Sequence, residues 1–134
     1  LRIFNVYGPK QKEYFLIPTI LSQLDDNCLF LGNTNSKRDY VYIKDVISAI
    51  SAVMGHHKGG FGIYNVGSGS SYSAREIVKT IENIKKKKLS IRTDKRKLRE
   101  DEYSEERADI AKLASIGWTP KYDLKYGLCE MLNQ

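Results

Sequence analysis

Lys37-Arg38-Asp39-Tyr40-Val41-Tyr42-Ile43-Lys44-Asp45-Val46 joins a strand to a helix, and the rest of the chain can be read outward from it. Tyr40 to Ile43 is rich in aromatic and β-branched side chains and reads as a short strand. From Asp45 the period changes. Val46, Ile47, Ile50, Val53 and Met54 recur at helical spacing, and Asp45 suits the positive end of a helix dipole. Arg38-Asp39 sits directly ahead of the strand, where a guanidinium fork can meet a phosphate or a carboxylate. Taken singly, such an arginine is more often a surface ion-pair residue.

Upstream, Arg2 to Tyr7 is a β-prone run stopped by Gly8-Pro9. Residues 14–24 place Phe15, Leu16, Ile17, Ile20, Leu21 and Leu24 at helical spacing, with Pro18 near the first turn. Cys28 to Leu31 reads as a buried strand closed by Gly32, and residues 33–36 as a polar turn. Downstream, residues 61–66 read as a strand and Gly67-Ser68-Gly69 as a turn. Ser73-Ala74-Arg75-Glu76 is a capping box, followed by the amphipathic series Ile77, Val78, Ile81 and Ile84. Leu89 to Arg92 alternates like a half-buried strand, and 93–107 is a charged loop. Asp109 to Ile116 predicts a short helix ended by Gly117, and Leu124, Leu128, Met131 and Leu132 a last one. The class is α/β, a small mixed lobe with short strands.

The 134 residues suit one compact unit, and 41% hydrophobic residues can supply its core. No apolar run approaches the ~20 residues of a membrane span. The formal charge of +6 is local: residues 85–99 hold nine basic residues and one acid. That run could neutralise phosphates of a nucleic acid. It contains no Phe, Tyr or Trp for base stacking, and Lys85 to Lys88 fits the cation-favouring end of a helix. His56 and His57 are adjacent in an irregular stretch and do not converge as metal ligands do. Cys28 and Cys129, 101 residues apart, make neither a disulfide scaffold nor a C-x-x-C site, and read as small core residues in a reducing cytoplasm. The Gly67-Ser68-Gly69 turn lacks the third glycine of a dinucleotide fingerprint and reads as the entry to a capped helix.

In order, the chain spells Arg2-Ile-Phe-Asn-Val-Tyr-Gly-Pro9, Ile17-Pro18, Leu31-Gly32-Asn33 and Lys37 to Val46. It then spells Tyr64-Asn-Val-Gly-Ser-Gly69, Ser73-x-x-Glu76, Ala108-Asp-Ile-x-Lys112 and Gly117-Trp-Thr-Pro120. This string resembles the C-terminal part of the extended short-chain dehydrogenases that act on nucleotide sugars, with UDP-glucose 4-epimerases and 4,6-dehydratases nearest. The resemblance implies a substrate-binding lobe over residues 1–134, with 1–9 as the tail of a Rossmann sheet that is otherwise largely missing. It implies an NAD-dependent whole enzyme that moves a hydride at sugar C4 through a 4-keto intermediate. The family's glycine-rich NAD loop and its catalytic Tyr-x-x-x-Lys pair are expected upstream of Leu1. The chain alone is therefore expected to be inactive, without bound NAD and without a catalytic residue of its own.

The resemblance also assigns the substrate grip. Asn5 would reach the diphosphate, and Arg38 and Arg99 would clamp it. The backbone of Leu29 and Leu31 would meet the base, and Glu102 a ribose hydroxyl. The partner implied is a UDP-, GDP- or dTDP-sugar. The rival reading is an autonomous basic domain that binds nucleic acid or another polyanion through 85–99. A third is a non-catalytic interaction module. Residues 2–7, deprived of Rossmann neighbours, are expected to self-associate or rearrange.

Overall fold

A computed structural model describes residues 1–56, 59–98 and 103–133. Strand β4 (Lys37–Tyr42) is its organiser, although β1 (Arg2–Ile3), β2 (Asn5–Tyr7), helix α1 (Leu16–Leu21) and β3 (Cys28–Leu31) precede it. The upper half of β4 runs parallel to β2, pairing Asn5 with Tyr40, Val6 with Val41 and Tyr7 with Tyr42. Side chains on a strand alternate between its faces. Tyr40 and Tyr42, with Tyr7, therefore turn to one core, while Val41 and Val6 turn to another. The β2/β4 pair is the partition between the two.

The first core is closed by α1, β3, helix α3 (Ala74–Lys85) and the last helix, with Ile17, Ile20, Leu29, Ile77, Ile81 and Leu128 fully buried. The second lies under α2 (Ile43–His56), whose Val46 and Ala49 meet Val66, Leu113 and Trp118. Asp45, in the first turn of α2, is buried and accepts the backbone N–H groups of Lys121 (2.9 Å) and Tyr122 (3.1 Å). The Trp118 indole donates to Ser48 at 2.8 Å. These bonds fasten α2 to the segment between α4 (Ala111–Ala114) and α5 (Leu124–Leu132).

Several elements differ from the sequence reading. The run at 2–7 is two strands. β1 pairs parallel with β5 (Asn65–Val66), and β2 with β4. Each of the two therefore has one neighbour from within the chain among the described residues. The helix at 14–24 shrinks to Leu16–Leu21, since Phe15 at its start offers no side-chain cap. β4 begins at Lys37 rather than Tyr40, and α2 at Ile43 rather than Asp45. The strand at 61–66 survives only as β5.

Two strands carry no hydrophobic alternation and were not expected: β6 (Ser71–Ser73) and β8 (Glu105–Glu106). Both exist by pairing with the charged half of β4. β6 lies antiparallel on one edge, with Arg38 opposite Tyr72. β8 lies parallel, with Arg38 opposite Glu106. β7 (Ser90–Thr93) pairs parallel with β3, and a 3-10 turn at Lys95–Lys97 follows it. The helix at 109–116 is reduced to α4.

The capping box is present as read. Ser73 N–H donates to Glu76 Oε2 (2.7 Å), and Glu76 N–H returns to the Ser73 hydroxyl (3.2 Å). Ser73→Ala is expected to cost about 1 kcal/mol, read from the urea midpoint. The Ser73 N–H first, and its hydroxyl second, hold the Glu76 carboxyl below the usual carboxylate range. A carboxyl lower in the folded state stabilises above the ordinary range and loses that contribution as pH falls through the depressed value. Glu76→Gln is expected to flatten this acid limb, and an unchanged acid limb would contradict the assignment.

Candidate functional site

A cleft of about 950 Å³ opens where the ends of β2 and β3 face the start of β4. Asn5, Gln11, Leu31, Gly32, Arg38 and Lys97 are among the residues that line it. The structure thus brings together three of the expected substrate contacts, Asn5, Leu31 and Arg38. Leu29 is fully buried in the first core and does not line the cleft. Arg99 and Glu102 lie outside the described residues, as does His57. Leu98, ahead of them, lines the cleft, and the carbonyl of Tyr103, after them, accepts from Arg38 Nη1 at 2.9 Å.

Arg38 is held rather than waving in solvent. Its Nη1 also donates to the Lys37 carbonyl (2.8 Å), and Nε meets Glu106 Oε2 at 3.0 Å. The side chain is only 16% exposed. Strand β8 therefore serves as a brace that fixes the plane of the guanidinium, and a fixed fork loses little freedom when it binds an anion. Asn5 is tied to the same strand, its Nδ2 donating to the Asp39 carbonyl at 3.1 Å.

Asp39, between them, has no exposed surface. Its Oδ1 accepts from Ser68 N (2.7 Å) and Ser68 Oγ (2.8 Å), and its Oδ2 from Gly69 N (2.9 Å) and Ala108 N (3.1 Å). A Cβ on Gly67 would collide with the Ala108 methyl and with this carboxylate, so only glycine fits there. The Ser68 and Gly69 amides are thus spent on Asp39.

Residues that sequence reading did not assign complete the walls. Gln11 Nε2 donates to the Val6 carbonyl (2.8 Å), which fixes the amide so that Oε1 points away. Lys97 Nζ donates to the Phe30 carbonyl (2.9 Å), and Gln23 Oε1 accepts from Phe30 N (2.8 Å), closing the outer edge of β3. The other edge faces β7 and the residue after it, where the Leu31 carbonyl accepts Asp94 N at 2.7 Å. A side chain on Gly32 would run into the Lys97 carbonyl, so the close approach of this turn requires glycine. Arg96 grips Asp94 with two bonds of 3.0 Å, and that grip holds the Asp94 carboxyl below the usual range. No motif marks Gln11 or Lys97; their contacts come from tertiary placement.

A literal Tyr-x-x-x-Lys string does occur, from Tyr40 to Lys44, which corrects the expectation that the chain lacks one. It straddles the β4/α2 junction instead of lying on one helix. Lys44 sits 5.7 Å from the ring centroids of Tyr42, Tyr122 and Tyr126 and 3.2 Å from Glu130. Tyr40 faces the first core beside Tyr7. Burial first, and Asp123 second, push the Tyr7 phenol upward, so it stays protonated and donates to the Asp123 carbonyl at 3.2 Å. Tyr7 is therefore no poised base.

Cys28 and Cys129 are free and half-buried, and His56 is exposed at the end of α2. Among the described residues no cluster could hold a metal ion, and no helix is long and apolar enough to cross a membrane. Within the basic run, Lys87 Nζ donates to the Leu24 carbonyl, Lys88 faces Glu82, and Arg96 and Lys97 make the bonds given above.

Residues 1–131 match the family model described as GDP-mannose 4,6 dehydratase. GDP-6-deoxy-D-mannose reductase of Pseudomonas aeruginosa is 31% identical over 98% of this chain and 46% of its own length. The solved structure of RMD from Pseudomonas aeruginosa complexed with NADPH superposes with a TM-score of 0.88 at 30% identity, over 98% of this chain and 46% of that one. UDP-glucuronic acid 4-epimerase from Bacillus cereus, in complex with UDP-glucuronic acid and NAD, gives 0.85 at 26%, over 98% and 43%. The chain spans about half the length of the curated relatives it matches.

Proposed function

This chain belongs to the GDP-mannose 4,6 dehydratase family, and from that premise we propose that it is the nucleotide-sugar-gripping part of an NAD-dependent epimerase, dehydratase or reductase. The observation that carries the reading is the convergence of Asn5 and a braced Arg38 on one cleft beside the end of β3. A diphosphate needs fixed, planar, cationic donors, and Arg38 on its β8 brace is one. A neighbouring amide such as Asn5 suits an oxygen of the same group, and the end of β3 at Leu31 lines the same cleft for a base. Arg99 and Glu102 are proposed as the second diphosphate clamp and the ribose acceptor.

The Gly67-Ser68-Gly69 turn does not suit a dinucleotide, because its Ser68 and Gly69 amides are committed to Asp39. NAD, and the hydride chemistry at sugar C4, are therefore assigned to a part of the whole enzyme outside this chain. On this reading the chain binds nucleotide sugar in a cytoplasmic enzyme without turning it over by itself.

The test is a titration of the ¹⁵N-labelled chain, in separate arms, with UDP, GDP, CDP, dTDP and a short oligonucleotide. A nucleoside diphosphate is expected to move the Asn5 and Arg38 amide signals together. No response to any diphosphate, or a response to the oligonucleotide confined to residues 85–98, would overturn the reading.

A further inference from the structure

The basic run at 85–98 meets the cleft only at its far end. It holds eight basic residues and one acid, more positive charge than the +6 of the whole chain. The fold draws this run out into a track. Lys85 closes α3, and Lys86 to Lys88 lead out of it. β7 carries Arg92, and the 3-10 turn at Lys95–Lys97 follows. Because β7 runs parallel to β3, the track advances toward the end of β3 that opens on the cleft. Arg96 and Lys97 then stand in the cleft wall. At about 3.3 Å per extended residue, Lys88 to Thr93 alone covers roughly 15 Å.

The charges of the track are available. Lys85, Lys86, Arg92 and Lys95 are exposed, and none is engaged in an ion pair among the described residues. Lys88 is 96% exposed and stands 3.9 Å from Glu82. The described acids beside the track are engaged. Glu82 accepts from Leu89 N, Asp94 holds Arg96, Glu105 holds the Ser71 hydroxyl, and Glu106 holds Arg38. The C-terminal end of a helix accounts for Lys85 and Lys86. It does not account for Arg92 and Lys95, which continue the charge along a strand to the cleft. A single-stranded nucleic acid would call for interleaved aromatic platforms, and the run contains none.

We propose that the track is an electrostatic guide that draws a nucleoside diphosphate into the cleft and speeds its association. A cleft bordered by charge of one sign focuses the field and raises the capture rate of the opposite ion. Lys85, Lys88 and Arg92 do not line the cleft, so they act at a distance, on arrival rather than on retention. Arg38 holds the anion, and the track delivers it. The inference rests on the reading of the cleft as a diphosphate site, and its test separates the two.

The test measures rates, with whichever of UDP, GDP, CDP and dTDP binds best. Line shapes of the Asn5 and Arg38 amide signals give the dissociation rate, and Kd from calorimetry then gives the association rate. Association is expected to be about tenfold faster at 0.01 M ionic strength, where the screening length is about 30 Å, than at 1 M, where it is about 3 Å. Lys85→Gln/Lys88→Gln/Arg92→Gln is expected to slow association about threefold at low salt and to match the parent at 1 M, with dissociation changed less than about 1.5-fold. Reversal of the same three charges to Glu should slow association about tenfold. Lys112→Gln/Lys121→Gln/Lys125→Gln removes equal charge outside the cleft and the track, and should slow association less than about 1.5-fold.

An association rate that ignores salt, as a field cancelled by the acids at 100–102 would give, overturns the guide. So does a neutralised triple whose loss lies in dissociation, since that makes its residues contacts. A control triple that slows association equally overturns it too, since net charge is then the cause. The salt series needs no substitution and stands even if a variant fails to fold. Diphosphate binding with any of these results sinks only the guide. No binding of any diphosphate sinks the reading of the cleft, and the guide with it.

Discussion

Asp39→Ala is expected to lower the stability of this chain by about 3–5 kcal/mol, the largest effect of any single substitution considered. The carboxylate is wholly buried and accepts four hydrogen bonds, three of them from backbone N–H groups. Alanine leaves those donors without an acceptor, and each orphaned buried group costs on the order of 1–3 kcal/mol, relieved in part where water enters. A domain of this size has a total stability of roughly 5–15 kcal/mol, so the variant should be partly unfolded near 37 °C. Urea unfolding followed by circular dichroism measures the loss. Asp39→Asn is expected to recover less than half of it, because its amide would turn a donor toward donors. A loss below about 1 kcal/mol would mean that the turn at 67–69 and Ala108 are held by something else.

Arg38→Ala is expected to weaken nucleoside diphosphate binding about 30- to 100-fold. Truncating one member of a largely desolvated, charge-assisted contact commonly costs about 2–3 kcal/mol. Arg38→Lys keeps the charge but loses the fork, and its affinity should fall between the two. The brace gives an independent control. Glu106→Gln removes the charge facing Nε while leaving a hydrogen-bond acceptor, and should change affinity by less than about fivefold. Isothermal titration with the diphosphate that binds best reads all three. Undiminished binding by Arg38→Ala would remove Arg38 from the site.

The parts of the fold that were legible in sequence are those specified by local chemistry. Tyr40-Val41-Tyr42 announced its strand because each residue is built to fill a core, and the alternation also sorted them between two cores. Ser73 and Glu76 announced a helix start because the cap is a contact three residues long. Lys37-Arg38-Asp39, Ser71–Ser73 and Glu105–Glu106 were illegible as strands, since each depends on partners some 30 to 70 residues away.

The site divides the same way. Asn5 and Arg38 lie at strand termini, where order along the chain is informative, and the cleft contains both. Leu29 and Leu31 looked equivalent from their spacing. Both are buried in the first core, and of the two only Leu31 also lines the cleft. Lys97 reaches Phe30 across 67 residues, a contact that no spacing rule reports.

Strand β4 ends at Tyr42 and α2 begins at Ile43, with no residue between them to act as a hinge. Arg38 and the first turn of α2 thus lie on one uninterrupted run of ordered backbone. The anchor of that turn, Asp45 accepting from the Lys121 and Tyr122 amides, therefore also steadies the strand that carries the arginine.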